Sequence, residues 1–99
     1  MNLSEYHRAH GLSMYTSAAR ACLPEGRSLV CWPSRGLCLI AQGPTVDASW
    51  EAAPFLDLPN AAGMNPAAYT RQCVAAEKRW VQAQAAGQGY SLRLKDIEI

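Results

Sequence analysis

The segment Gly36-Leu37-Cys38-Leu39-Ile40-Ala41 is apolar at nearly every position, and this constrains the fold more than any other stretch. A strand with one solvated face alternates apolar and polar side chains; a continuous apolar run lies inside a sheet covered, at least in part, on both faces. The preceding Ser28-Leu29-Val30-Cys31-Trp32 is also rich in β-forming residues, and Pro33-Ser34-Arg35-Gly36 between the two has turn chemistry. Residues 28–41 therefore read as a β-hairpin, and the remaining chain must supply the layers that cover it.

The best candidate for one layer begins at Asn65-Pro66, where asparagine caps a helix and proline takes the first helical position. The helix is expected over 65–86, ending at Gly87, with Tyr69, Cys73, Ala76, Trp80 and Ala83 as one stripe and Val74 and Val81 beside it. Tyr90-Ser91-Leu92-Arg93-Leu94 alternates as a strand with one buried face, and the apolar phase slips by one residue before Ile97 and Ile99. A bulge or strand end near Lys95 reconciles the two halves of 90–99.

Residues 43–64 are broken by Gly43-Pro44, Pro54, Pro59-Asn60 and Gly63, and read as a loop-rich connection. Within it Asp47 is placed to cap a short helical turn through Ala53, while Phe55, Leu56 and Leu58 are large enough to anchor the segment on the core. The same region carries Asp47, Glu51 and Asp57, and 43–69 contains no Lys or Arg.

At 99 residues the chain is long enough for one modest core and too short for two, so a single domain is expected over 1–99. The formal charge of +1 is far from the basic excess of a nonspecific nucleic-acid binder. No apolar run approaches the ~18 residues of a membrane span, and the start Met1-Asn2-Leu3-Ser4-Glu5 lacks the features of a secretion signal, so a cytoplasmic protein is expected. Cys22, Cys31, Cys38 and Cys73 read as reduced thiols; the spacing of Cys31 and Cys38 across the hairpin places them within reach of a cross-strand disulfide in an oxidised sample.

The N-terminal residues 1–23 carry the one nameable pattern. Ser4 and Ser13 are helix-capping residues and Gly11 tolerates the positive φ that ends a helix, so two short helices hinged at Gly11 are expected. The order Leu-Ser-Glu-Tyr, then Gly-Leu-Ser, then Thr16 resembles the DNA-binding helix-turn-helix of small excisionase-like and recombinase-associated regulators of phages and mobile elements. The resemblance implies a second helix lying in the major groove, with Ser13, Tyr15, Thr16 and Ser17 meeting base edges and Arg20 meeting a phosphate or guanine. Arg27 and Arg35, at the base and tip of the hairpin, would then reach adjacent phosphates. This helix departs from the pattern in offering Arg20 as its only cation among small side chains.

Other residue groupings point elsewhere. His7 and His10 stand three apart, yet there is no Cys-x-x-Cys to accompany them, and no metal site or cofactor is expected. No nucleophile elbow, phosphate-cradling glycine loop or evident pair of acids appears, so no enzymatic activity is expected. Trp50 and Phe55, with Asp47 and Glu51, suggest instead an apolar and acidic surface for a protein partner. The expected architecture is α+β, a small antiparallel sheet of hairpin and C-terminal strand packed on one long helix, with an N-terminal helical hairpin. Two functions fit it: a small accessory regulator binding DNA, or a phage-type adaptor or inhibitor that binds and blocks a host protein.

Overall fold

The computed structural model describes residues 1–99 and has an α+β architecture: a five-stranded antiparallel sheet with one helix on each face. Helix α1 (Leu3–Ala9) is followed by β1 (Ala19–Cys22), β2 (Arg27–Trp32), β3 (Leu37–Gln42), β4 (Thr45–Glu51), helix α2 (Pro66–Gly87) and β5 (Ile97–Glu98). The order across the sheet is β4-β3-β2-β1-β5.

The double-sided cover expected for β3 is present. Cys38 and Ile40 join Ala19, Ala21, Leu29 and Cys31 in a core beneath Val81 and Ala85 of α2. Leu37, Leu39 and Ala41 point the other way, into a second core with Trp32, Leu12 and Tyr6 of α1. Tyr6 stacks on Trp32 with ring centroids 5.8 Å apart, so a helix of only seven residues is held by one large buried anchor. Such a short helix is marginal alone and depends on that packing. Its start is fixed by Asn2, whose side chain accepts from the Glu5 amide at 2.8 Å while Glu5 reaches back to the Asn2 amide.

The expected N-terminal helical hairpin is not formed. Residues 12–18 make turns, and Ala19–Cys22 is a strand paired with β2 on one side and β5 on the other. Alternation explains the outcome: Ala19 and Ala21 are buried while Arg20 and Cys22 are exposed, a period of two that suits a strand. The small side chains let α2 come close, and the tertiary fit outweighs the helix preference of alanine.

The 43–64 region also differs from expectation. Its first part is β4, joined to β3 by the two-residue turn Gly43-Pro44, with Gly43 at φ 57°. Positive φ at the first central residue is what such a hairpin turn requires. Asp47 is therefore a strand residue rather than a helix cap, and it occupies the extra position where the register shifts between Ile40 and Ala41. At the other end, the chain from Tyr90 runs back along α2, makes a 3₁₀ turn over Leu94–Asp96, and pairs only at Ile97–Glu98. That turn is the physical form of the phase slip at Lys95.

Helix α2 matches the expected span, and Asn65 caps it by accepting from the Ala68 amide at 2.8 Å. Its sheet-facing row is Val81 and Ala85 rather than the Trp80 stripe, with Ala83 exposed. No residue before Val81 is fully buried, so α2 reaches well beyond the core it covers. No helix is long and apolar enough to cross a membrane.

Candidate functional site

The residues assigned to DNA contact are dispersed. Ser13 to Ser17 lie in a turn closed by the Thr16 amide on the Ser13 carbonyl at 3.1 Å and by the Ser13 amide on Thr16 Oγ1 at 3.0 Å. Tyr15 projects from it, 89% exposed. Arg20 lies on β1 directly opposite Glu98 of β5, in a cleft that also holds Asp96, Cys22 and Ser28. Arg27 opens β2, its Nε 3.2 Å from Asp47 Oδ2 but out of hydrogen-bond alignment. Arg35 sits in the 3₁₀ turn at the far end of the same strand, six residues long and therefore ~20 Å distant. Acidic neighbours interleave with these arginines, and no helix presents them together.

The residues assigned to a protein partner are closer in space, with different roles from those expected. Trp50 is half-buried and not a loop residue: it lies on β4 opposite Cys38, packs against the α2-side core, and donates Nε1–H to Gln84 Oε1 at 3.0 Å. Asp47 is engaged with Arg27. Glu51 ends β4 on the face covered by α1, where burial, Cys38 and Glu51 together push the Tyr6 hydroxyl up to about 12. Phe55 is half-buried, and its amide donates to the Pro33 carbonyl at 2.8 Å.

What these contacts build is an extended strap. The Ala52 amide donates to the Gly36 carbonyl at 2.8 Å, and Trp80 Nε1–H donates to the Ala53 carbonyl at 3.1 Å, so the strap is tied at three successive points. Immediately after the last tie, Leu56 and Leu58 stand 75% and 62% exposed, with the exposed Asp57 between them. They do not anchor the segment on the core; Phe55 and the backbone ties do. Pro54 and Pro59 bracket the pair and restrict its backbone. A Leu-x-Leu alternation between prolines was the available signal, but in sequence it is indistinguishable from a buried anchor.

The thiols fall into two settings. Cys31 and Cys38 face each other across β2 and β3, both fully buried, and both are free. The adjacent Cys38 thiol and burial push the Cys31 thiol well above its ordinary value. Cys22 is exposed and Cys73 half-buried, and both are free as well. His7 Nδ1 lies 2.6 Å from the Leu3 carbonyl and His10, just past the end of α1, packs on Tyr6, so both rings are engaged by α1 residues. No group of three His, Cys, Asp or Glu side chains converges to hold a metal ion.

Comparison with family models, with curated proteins and with solved structures finds no match for this chain.

Proposed function

We propose that this chain is a protein-binding module, an adaptor or inhibitor that acts by occupying a partner's surface through the strap that follows β4. The observation that carries this reading is the exposure of Leu56 and Leu58 on a segment whose neighbours are tied to the fold. Large aliphatic side chains held out to solvent lose little conformational freedom on binding when their backbone is already restrained. Asp57 lies between them and Glu51 precedes them in the chain, and no Lys or Arg lies between residues 43 and 69. A complementary partner therefore offers an apolar groove with a basic rim.

The test is the double substitution Leu56→Ser with Leu58→Ser, compared with the native chain in affinity purification from the source cells. Partner recovery should be lost while stability stays within about 0.5 kcal/mol, as for other surface changes. Undiminished recovery of the same partner rejects the strap as the binding surface.

DNA binding is the second reading, and the specific observation favouring it is the projection of Tyr15 from a turn rich in hydroxyls. Arg20→Ala and Tyr15→Ala should then each weaken a mobility shift whose affinity falls steeply with salt. No shift of any DNA at low salt eliminates it.

A further inference from the structure

We infer that a second, separate site lies on the sheet-facing row of α2 where that row extends past the core, and that it takes a small amphipathic organic anion, an apolar body with a carboxylate-type head. The row that buries Val81 and Ala85 continues toward the helix start through Lys78, Val74 and Arg71, at alternating steps of four and three. Val74 belongs to neither core cluster, and neither does Leu94 of the 3₁₀ turn beside it. Between them is a cleft of about 350 Å³ whose floor is Val74, Ala75 and Leu94 and whose rim carries Arg71, Lys78 and Lys95. This is the small end of the ~300–1,000 Å³ range of small-molecule sites, which pair apolar walls with a few converging polar groups.

Charge is the second support. The ion pairs of the molecule are Arg27 with Asp47 and Arg93 with Asp96, which leaves all three rim cations without a carboxylate partner. Asp96, the acid next to Lys95, is held by Arg93 through two side-chain contacts at 3.2 Å. Glu77, the acid next to Lys78, does not line the cleft. The comparable cleft around Arg20 contains Asp96 and Glu98 as well, so its charges offset one another. A further cleft on α2, around Tyr90 and Leu92, carries Arg79 alone, so of these clefts the one at Val74 is distinguished by gathering several charges of one sign over an apolar floor. Three cations and an apolar floor suit one anionic head with an apolar tail better than a row of phosphates.

Decanoate below its micellar concentration is the probe, titrated into the full chain and followed by amide chemical shifts. Shifts are expected at 70–78 and 94–95, with binding weakened about tenfold in Lys78→Gln and again in Lys95→Gln, the loss of ~1.4 kcal/mol for one charge-assisted contact. Both variants should keep the native melting temperature, and Lys95, outside α2, serves if Lys78→Gln perturbs the helix. Acetate should shift these amides weakly for want of a tail, and decyltrimethylammonium not at all. Equal binding of decyltrimethylammonium, equal binding of acetate, or no shifts with decanoate would overturn the assignment. Vesicles of phosphatidylglycerol form the last arm: binding to them without binding free decanoate would overturn a small-molecule site in favour of a lipid surface.

Discussion

Replacing Trp50 with alanine should destabilise the fold by about 3 kcal/mol. An aromatic of this size buries up to ~250 Å² when fully enclosed. The half-burial of Trp50 against the α2-side core therefore corresponds to ~2–3 kcal/mol at ~25 cal/mol/Å². Its indole hydrogen bond to Gln84 adds ~1 kcal/mol, partly returned because the freed amide can be rehydrated at an edge strand. For a domain of 99 residues, ~3 kcal/mol lowers the melting temperature by roughly 12–24 °C. Thermal and urea unfolding, followed by circular dichroism, measure the effect, and Trp50→Phe should recover part of it, keeping one aromatic ring while losing the second ring and the N–H. A loss below ~1 kcal/mol, together with loss of partner binding, would refute the reasoning and make Trp50 an exposed contact instead.

Gly36→Ala should destabilise by ~3 kcal/mol or more, because Gly36 has φ 66° and a Cβ there runs into the Ala52 carbonyl; the same unfolding assays read it. Thiol labelling of the native protein should modify Cys22 promptly and Cys31 and Cys38 only on unfolding, with mass spectrometry locating each adduct. Glu77 is raised by desolvation, so the fold favours its protonated form and stability is lost as pH rises through the window above the ordinary glutamate value. Glu77→Gln should accordingly melt higher than the native chain at pH 7, and the difference should vanish below about pH 4.

Elements whose signal is local were legible in the sequence. The β2–β3 hairpin follows from its apolar strands and Pro33–Gly36 turn, and α2 from the Asn65-Pro66 start and Gly87. β1 was not, because Ala-Arg-Ala-Cys has no large apolar residue and is strand only through its neighbours β2 and β5. β4 was hidden by its edge position, which leaves most of its residues exposed, and by the extra residue Asp47 that breaks the alternation. For the proposed strap, acidic and apolar composition drew attention to the segment that contains it. Which residues turn outward was decided by long-range ties, since Phe55 is drawn in through Pro33 and Leu56 and Leu58 are left out. The anion cleft depends on the return of the chain over α2 after Gly89, a feature no local pattern announces.

Photo-crosslinking from benzoylphenylalanine placed at Leu56, at Tyr15 or at Gln88, all exposed, is the most direct test of the strap as a protein-binding surface. A protein adduct from position 56, with none from 15 or 88, is the result expected. Absence of an adduct at 56, or an adduct formed from position 15 alone, would contradict it and move the binding face to the N-terminal turn.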